Sequence, residues 1–303
     1  MTGAPRGEHE PEARTNSTRR VRAVALARLV QPTFLAPAVA TAVLGGLLAP
    51  APDAGVLVGH AMAVGLAVYA AHLRDAFVDR FRRGEEPAGG TTPRLLRRSF
   101  AATTAAFWTT VAGLCVAVGP TALLAVGPVW VLAALHAPFL DVRPVGSATD
   151  YAAGVALALV GGYALQTATV SGEVLAVAGA LGTALVAITV SVDALDADFD
   201  RAIGKRTVPV ALGSERADRL AATLFLAAGA AVVLAVGYGA LPVGALPAAA
   251  VTPVAAAAVF ARPRERAVLA QMAALYPFLA LLVVPVCLVG TAACGGLLRS
   301  LAW

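Results

Sequence analysis

Residues 193–213, DALDADFDRAIGKRTVPVALG, set Asp193, Asp196, Asp198 and Asp200 at the end of a long apolar run, with Arg201, Lys205 and Arg206 directly after them. Carboxylates at a bilayer edge are costly unless they hold something cationic, so the default reading is a functional site. A sparser copy, HLRDAFVDRFRR at 72–83, closes another apolar run. Asp75 and Asp79 are four residues apart and share a helix face; Asp196 and Asp200 repeat that spacing. Asp193 falls one turn before Asp196, whereas Asp198 lies about 200° around the helix and is the odd one out. Carboxylates one turn apart repel each other unless a cation sits between them. Mg²⁺ suits such pairs, because it takes oxygen ligands and is normally held by one or two carboxylates plus substrate phosphates. Two facing pairs would hold Mg²⁺ ions and, through them, a diphosphate. Arg74, Arg80, Lys205 and Arg206 border the clusters and would grip the oxygens left free. Lys205 is the single lysine of the chain, and Gly204 lets the backbone turn close to a bound anion.

Simpler readings exist for several of these residues. Asp and Arg at a helix end also serve as interfacial anchors and topology signals, which would account for 74–83 taken alone. Such signals do not require four acids followed by a Gly-Lys-Arg-Thr turn. His60, mid-span, reads as a packing hydrogen-bonder, as does His136; His72, one turn before Asp75–Ala76, is a candidate to line the site. Most aromatics read as packing or interface anchors. Cys115, Cys287 and Cys294 have no metal-ligand spacing and read as small apolar residues.

The elements that must position these groups are membrane helices. The 303 residues are 59% hydrophobic and 14% charged, with a mean hydropathy of +0.78, too little polar surface for a soluble domain. Ala and Leu dominate runs of roughly 20 residues, so the class is all-α rather than a β-barrel. Nine apolar spans are expected, at about 30–50, 55–79, 99–118, 121–140, 150–170, 174–197, 217–238, 241–261 and 268–297, the last kinked at Pro285 or overlong. Residues 1–24 read as a disordered cytoplasmic tail with no cleavable signal, and 25–303 as one transmembrane domain.

Charge sets the orientation. With the N-terminus on one side, that side also receives the loops after spans two, four, six and eight, and therefore every Lys and Arg except Arg299. That pattern makes the N-terminus and both acidic clusters cytoplasmic in a multi-pass protein of the cell membrane. The same topology accounts for the net charge of +5 without nucleic acid as a partner. Spans two and six, four helices apart, both close on an acidic cluster and a basic loop. An internal duplication follows: halves at about 25–145 and 146–265, with an extra helix at 268–297.

DALDADFDRAIGKRTVPVALG resembles the second aspartate-rich motif of the UbiA superfamily of intramembrane prenyltransferases, D-x-x-x-D-R-x-x-G-K-x-T-x-P-V-x-L-G. Asp196, Asp200, Arg201, Gly204, Lys205, Thr207, Pro209, Val210, Leu212 and Gly213 match it. Arg28 with QPTF at 31–34 is similar to the family's entry to its first helix, and Pro138, Arg143, Gly146 and Asp150 to its loop after helix four. The resemblance implies nine helices, two four-helix halves plus a ninth, around a central cavity. It also implies Mg²⁺ held by Asp75, Asp79, Asp196 and Asp200, with Asp193 in support and these four aspartates catalytic. Arg28, Arg74, Arg143, Lys205 and Arg206 would contact the diphosphate of an isoprenyl donor, with His72 and Asp150 as further candidates.

The first motif departs from the family's N-D-x-x-D-x-x-x-D, reading AHLRDAFVD with Ala71 and His72 in place of Asn-Asp. A metal-binding side chain is missing there, or His72 substitutes for it. What the resemblance implies is ionisation of the donor in a lipid-open apolar cavity and transfer of the prenyl group to a small lipophilic or aromatic acceptor. The alternative is a UbiA-type terpene cyclase, in which the cation closes on itself without acceptor. A reading from another class, an ion-coupled secondary transporter, expects carboxylates near the bilayer midplane on broken helices, not at the ends of spans beside basic loops.

Overall fold

The computed structural model describes residues 20–289, whose regular elements are all helices, with no strand among them. A short helix α1 (Arg20–Ala27) meets α2 (Pro32–Leu47) at a bend of 61°. The bend has a local cause. Gln31 precedes Pro32, whose ring disfavours the α conformation in the residue before it, and Gln31 takes φ 21°, ψ 78°. Residues 20–24, read from sequence as part of the tail, are thus the first turns of α1, and 1–19 lie outside the described residues.

The chain then runs through α3 (Ala54–Val78), α4 (Pro93–Val118), α5 (Thr121–Leu135), α6 (Pro144–Thr167) and α7 (Gly172–Asp193). Two short helices, α8 (Ala197–Ala202) and α9 (Val208–Leu212), lead to α10 (Ser214–Gly237), α11 (Leu246–Ala258) and α12 (Arg264–Val289). Starts are capped in the expected way: Asp53, Thr92 and Ser171 accept from the amides of Val56, Leu95 and Val174, and prolines open α2, α4 and α6. Among the described residues seven helices are long and apolar enough to cross a bilayer; the α1–α2 pair adds an eighth as one bent span. The protein is a multi-pass membrane protein.

The ninth apolar segment is present but short. The stretch expected at 241–261 forms a 3₁₀ turn, Val243–Ala245, followed by α11, which together rise about 25 Å. The last span is continuous through Pro277 and Pro285 as far as Val289; residues 290–297 of the expected range lie outside the described residues, as does Cys294. Cys115 is a half-buried free thiol, whereas Cys287 is buried and disulfide-bonded, more than the apolar filler the sequence suggested.

The cores do not divide at residue 145. One apolar core joins α3, α4 and α5 around Phe107; the larger joins α2 to α6, α7, α10, α11 and α12. The α2–α6 seam makes that crossing, and it consists of small residues. A Cβ on Gly162 would strike the Ala42 carbonyl, and one on Gly45 the Leu159 carbonyl. Close backbone approach of this kind drives helix association where lipid removes the hydrophobic incentive. His60 adds a polar tie, its Nε2 donating to the Ala158 carbonyl at 2.8 Å from the centre of α3 to α6.

Gly162→Val should therefore cost about 3 kcal/mol through backbone collision, seen as a lower thermal-unfolding midpoint in detergent. Gly179→Ala is the control. It meets nothing within 4 Å on α7 and should leave the midpoint unchanged or slightly raised. Equal midpoints for wild type and Gly162→Val would show that this seam does not hold α2 on α6.

Candidate active site

Two spans that border the site end in π-helical turns, which add a residue to the turn and re-aim the side chains that follow. The first, Asp79–Arg83, continues α3; the second, His136–Leu140, continues α5. Arg83 joins them. Its Nη2 donates to the Ala137 carbonyl at 2.6 Å, and its two terminal nitrogens take Asp141 in a fork at 2.7 and 3.1 Å. The same guanidinium pairs with Asp79 at 3.3 Å and Glu85 at 3.6 Å. Gly84, at φ 72°, reverses the chain so that Glu85 returns beneath Asp79, its amide on the Asp79 carbonyl at 2.8 Å.

The second acidic stretch folds otherwise than its spacing suggests. A single helix through 193–200 would stack carboxylates that repel, and four of its eight residues are aspartates, which are weak helix formers. The chain instead leaves helix at Ala194–Asp196 and restarts as α8. Asp193 and Asp196 consequently do not share one helix face. Asp193 ends α7 and accepts from Ser147 Oγ at 3.1 Å. Asp196 stands exposed at the head of α8; its carbonyl accepts from the Asp200 amide at 2.8 Å, and its carboxylate has no hydrogen bond or ion pair among the described residues. Asp200 is buried and accepts from Thr207 at 3.0 Å. Asp198 points outward, 99% exposed, paired only with Arg201.

Lys205 connects the two stretches. Gly204, at φ 83°, turns the chain after α8, and the Lys205 amide donates to the Asp200 carbonyl at 2.9 Å. Its ammonium lies 3.3 Å from both Glu85 and Asp141. The Arg206 amide donates to the Val142 carbonyl at 3.2 Å, fastening this loop to the one after α5. Burial alone pulls the Lys205 ammonium down, but Asp141, Asp79, Glu85 and Asp75 outweigh it and hold its pKa above the ordinary value. Burial pushes the Asp200 carboxyl up, with Asp196 and Glu85 adding to it, against the pull of Thr207 and Lys205.

One oxygen from each of Asp75, Asp79 and Asp141 falls within 4.8 Å of the others, a spacing suited to a metal ion. The donor set is all carboxylate, as a hard divalent cation requires. Glu85 Oε1 beside it is buried without a hydrogen bond among the described residues, the Arg83 guanidinium lying 3.6 Å away. His72 is not in this group: its Nδ1 donates to the Leu29 carbonyl at 3.1 Å and its ring meets Phe34 edge-on. The third carboxylate comes instead from Asp141, across the site.

A cavity of about 230 Å³ opens from this cluster between α2, α3, α5 and α6. On α3 its wall runs from Val64 through Val68 and His72 to Asp75, so the acid stands at one end of an otherwise apolar wall. His136 and Asp150 line the cavity beside Asp75. His136 Nδ1 donates to Asp150 at 2.5 Å, and Nε2 lies 4.0 Å from Asp75.

Other residues singled out in the sequence stand apart. Arg28, Arg143 and Arg206 are exposed with no carboxylate partner among the described residues. Arg80 pairs with Glu86 at 3.0 Å. Arg74, one residue from Asp75 and so about 100° around α3, faces α4 and lies over the Phe100 ring. Four groups at the centre were not picked out from sequence as site residues: Arg83, Glu85, Asp141 and His136. Arg83 and Glu85 lie within or just after a basic run, where they read as topology signals, and Asp141 sits alone in a loop. Only their distances to residues far along the chain give them away.

No protein-family model matches the sequence, and no curated protein does. Solved structures do match in fold. The chain is 19% identical to an apo UbiA homologue from Aeropyrum pernix K1, over 84% of this chain and 98% of that one, with a TM-score of 0.66. A UbiA homologue from Archaeoglobus fulgidus bound to GPP and Mg²⁺ is 16% identical over 86% and 98%, TM-score 0.63. A digeranylgeranylglyceryl phosphate synthase is 13% identical over 88% and 98%, TM-score 0.69. The chain thus has the UbiA fold over most of its length.

Removing Lys205 should strand Asp141 and Glu85. Lys205→Met, at a side chain 16% exposed, is expected to cost about 3 kcal/mol in metal-free detergent, read as a lower unfolding midpoint. A midpoint equal to wild type would mean that the network carries no stability.

Proposed function

We propose that the protein is a Mg²⁺-dependent intramembrane prenyltransferase that ionises an isoprenyl diphosphate and passes the prenyl group to a small lipophilic or aromatic acceptor. One observation carries the reading: an apolar cavity ends on a cluster of carboxylates that outnumber the basic groups among them. Asp75, Asp79, Glu85, Asp141 and Asp200 converge, while Arg83 and Lys205 balance them from within and His136, itself paired with Asp150, stands beside Asp75. The known UbiA homologue bound to GPP and Mg²⁺ has the same fold.

Asp75, Asp79 and Asp141 would hold metal on the α3 and α5 side, and Asp196 and Asp200, supported by Asp193, on the α8 side. When bound, Mg²⁺ neutralises the diphosphate and makes it a leaving group. The chain's residues do the rest. Lys205 and Arg83 lie within reach of the same space and stabilise the negative charge that grows as the C–O bond breaks. Arg28, Arg143 and Arg206, exposed and without carboxylate partners among the described residues, would supply further cationic contacts to the diphosphate. Asp150 fixes the His136 ring through Nδ1, turning Nε2 to the cavity. Phe34, Tyr151 and the aliphatic wall exclude water from the allylic cation, and their π faces favour its charge. The orientation proposed is the one the basic loops demand, with the carboxylates at the cytoplasmic face of the cell membrane.

Three measurements test this. Asp75→Ala, Asp79→Ala, Asp196→Ala and Asp200→Ala should each abolish Mg²⁺-dependent consumption of prenyl diphosphates, and Asp141→Asn should lower it about a hundredfold. Asp198→Ala, exposed and outside the cluster, should turn over like wild type. Near-wild-type turnover by Asp196→Ala or Asp141→Asn would remove that residue from the site. Chelation followed by Mg²⁺ return should switch activity off and on. Purified protein given geranyl, farnesyl or geranylgeranyl diphosphate without acceptor should make no cyclic hydrocarbon; its appearance would replace transfer by cyclisation.

A further inference from the structure

We infer that a second cavity, on the opposite flank of α3 and separate from the carboxylate site, is a binding site for the phosphate headgroup of an anionic membrane lipid. The inference is independent of the reaction proposed above. The cavity, about 190 Å³, lies between α3 and α4 at the ends where the basic residues gather, with Pro138 of the second π turn also lining it. Its polar walls are Arg74, Arg82 and Arg97, and no acidic residue lines it.

Three guanidiniums converge there without a counter-charge. Elsewhere at this end of the molecule Arg80, Arg83, Lys205, Arg262 and Arg264 each pair with a carboxylate within 3.3 Å, and Arg28, Arg143 and Arg206, also unpaired among the described residues, are exposed and outside this cavity. Arg74, Arg82 and Arg97 have no carboxylate partner among the described residues, and Arg82 acts on Arg74 as a like charge. They are ordered instead by aromatic rings. Arg74 lies 5.6 Å over Phe100, and Arg82 and Arg97 lie 5.6 and 4.9 Å over Phe77. Ring stacking leaves the guanidinium edges, which carry the N–H donors, free for oxygens. A phosphoester satisfies both needs, since it supplies the missing charge and accepts forked hydrogen bonds.

The source of the phosphate follows from what adjoins the cavity. Arg97, Ala101, Ala105 and Trp108 recur at helical spacing on α4, and all four are exposed. The basic cavity thus continues into an apolar stripe running along the span, the shape of a headgroup with an acyl chain below it. Such a stripe faces hydrocarbon in a span, so a lipid seated there would keep its headgroup at the arginines and its acyl chain against α4. Basic pockets between membrane helices on the basic side suit anionic headgroups on general electrostatic grounds.

The test uses the full chain, purified and freed of bound lipid. Binding of dioleoylphosphatidylglycerol, of dioleoylphosphatidylcholine and of inorganic phosphate is measured by native mass spectrometry and by ligand-dependent shift of the unfolding midpoint. Wild type should bind the anionic lipid about tenfold or more tightly than the zwitterionic one with the same chains. Arg82→Gln and Arg97→Gln should each weaken it about tenfold, while Arg216→Gln, exposed on α10, should not. Should Arg97→Gln fail to fold, Arg97→Lys, which keeps the charge and loses the fork, should bind more weakly than wild type. Equal binding of the two lipids would overturn the inference. So would equal losses in Arg97→Gln and Arg216→Gln, which mark diffuse attraction. Inorganic phosphate that binds with the same arginine dependence, where the lipid does not, would reassign the cavity to a soluble phosphoester and overturn the lipid as occupant.

Discussion

The structure is organised by the mutual repulsion of carboxylates gathered where helices leave the apolar layer. Each of Asp75, Asp79, Glu85, Asp141 and Asp200 loses hydration, and each raises the electrostatic cost of the others. Two basic groups hold them together. Arg83 forks onto Asp141 and reaches Asp79 and Glu85, while Lys205 bridges Glu85 and Asp141. Because Arg83 arises from the end of α3 and Lys205 from the turn after α8, this one network binds parts of the chain more than a hundred residues apart.

That constraint explains local features that would otherwise look arbitrary. The π turns after α3 and α5 bring Arg83 onto the Ala137 carbonyl and Asp141. The break between α7 and α8 separates Asp193 from Asp200 and lets Asp198 turn to solvent. Gly84 and Gly204 adopt positive φ to return Glu85 and Lys205 to the cluster. The rigid counterpart is the glycine seam between α2 and α6, which fixes one wall of the cavity. Pliable, charged ends on a close-packed frame suit a site whose ion pairs must rearrange when a multiply charged ligand enters.

The sequence revealed one loop of this cluster better than the residues gathered around it. Asp200, Gly204, Lys205 and Thr207 are local to one motif, and the structure brings all four into one short loop with internal hydrogen bonds. Helix count and span positions were also legible, because apolar length is a property of a single segment. Contacts between segments were not. Asp141 is one acid in a loop, and nothing near it in sequence announces that it stands beside Asp75 and Asp79. Arg74 misled for the opposite reason, since adjacency in sequence puts it beside Asp75 while helical rotation carries it to the far flank. His72, a natural stand-in for the missing Asn-Asp pair, spends its Nδ1 hydrogen on Leu29 at the α1–α2 bend.

The two cations have a double role that follows from the same electrostatics. Without ligand, Arg83 and Lys205 are what make a buried carboxylate cluster tolerable. Divalent cations that settle among the carboxylates would take over that neutralisation, and the guanidinium and ammonium would then be surplus positive charge in a poorly hydrated space. An anion with several oxygens is the complement of that surplus. A site built so would bind metal and diphosphate cooperatively, since each would make the other's binding less costly. The apolar cavity below offers no competing place for the charge, and the hydrocarbon portion of such a ligand has only one direction in which to lie.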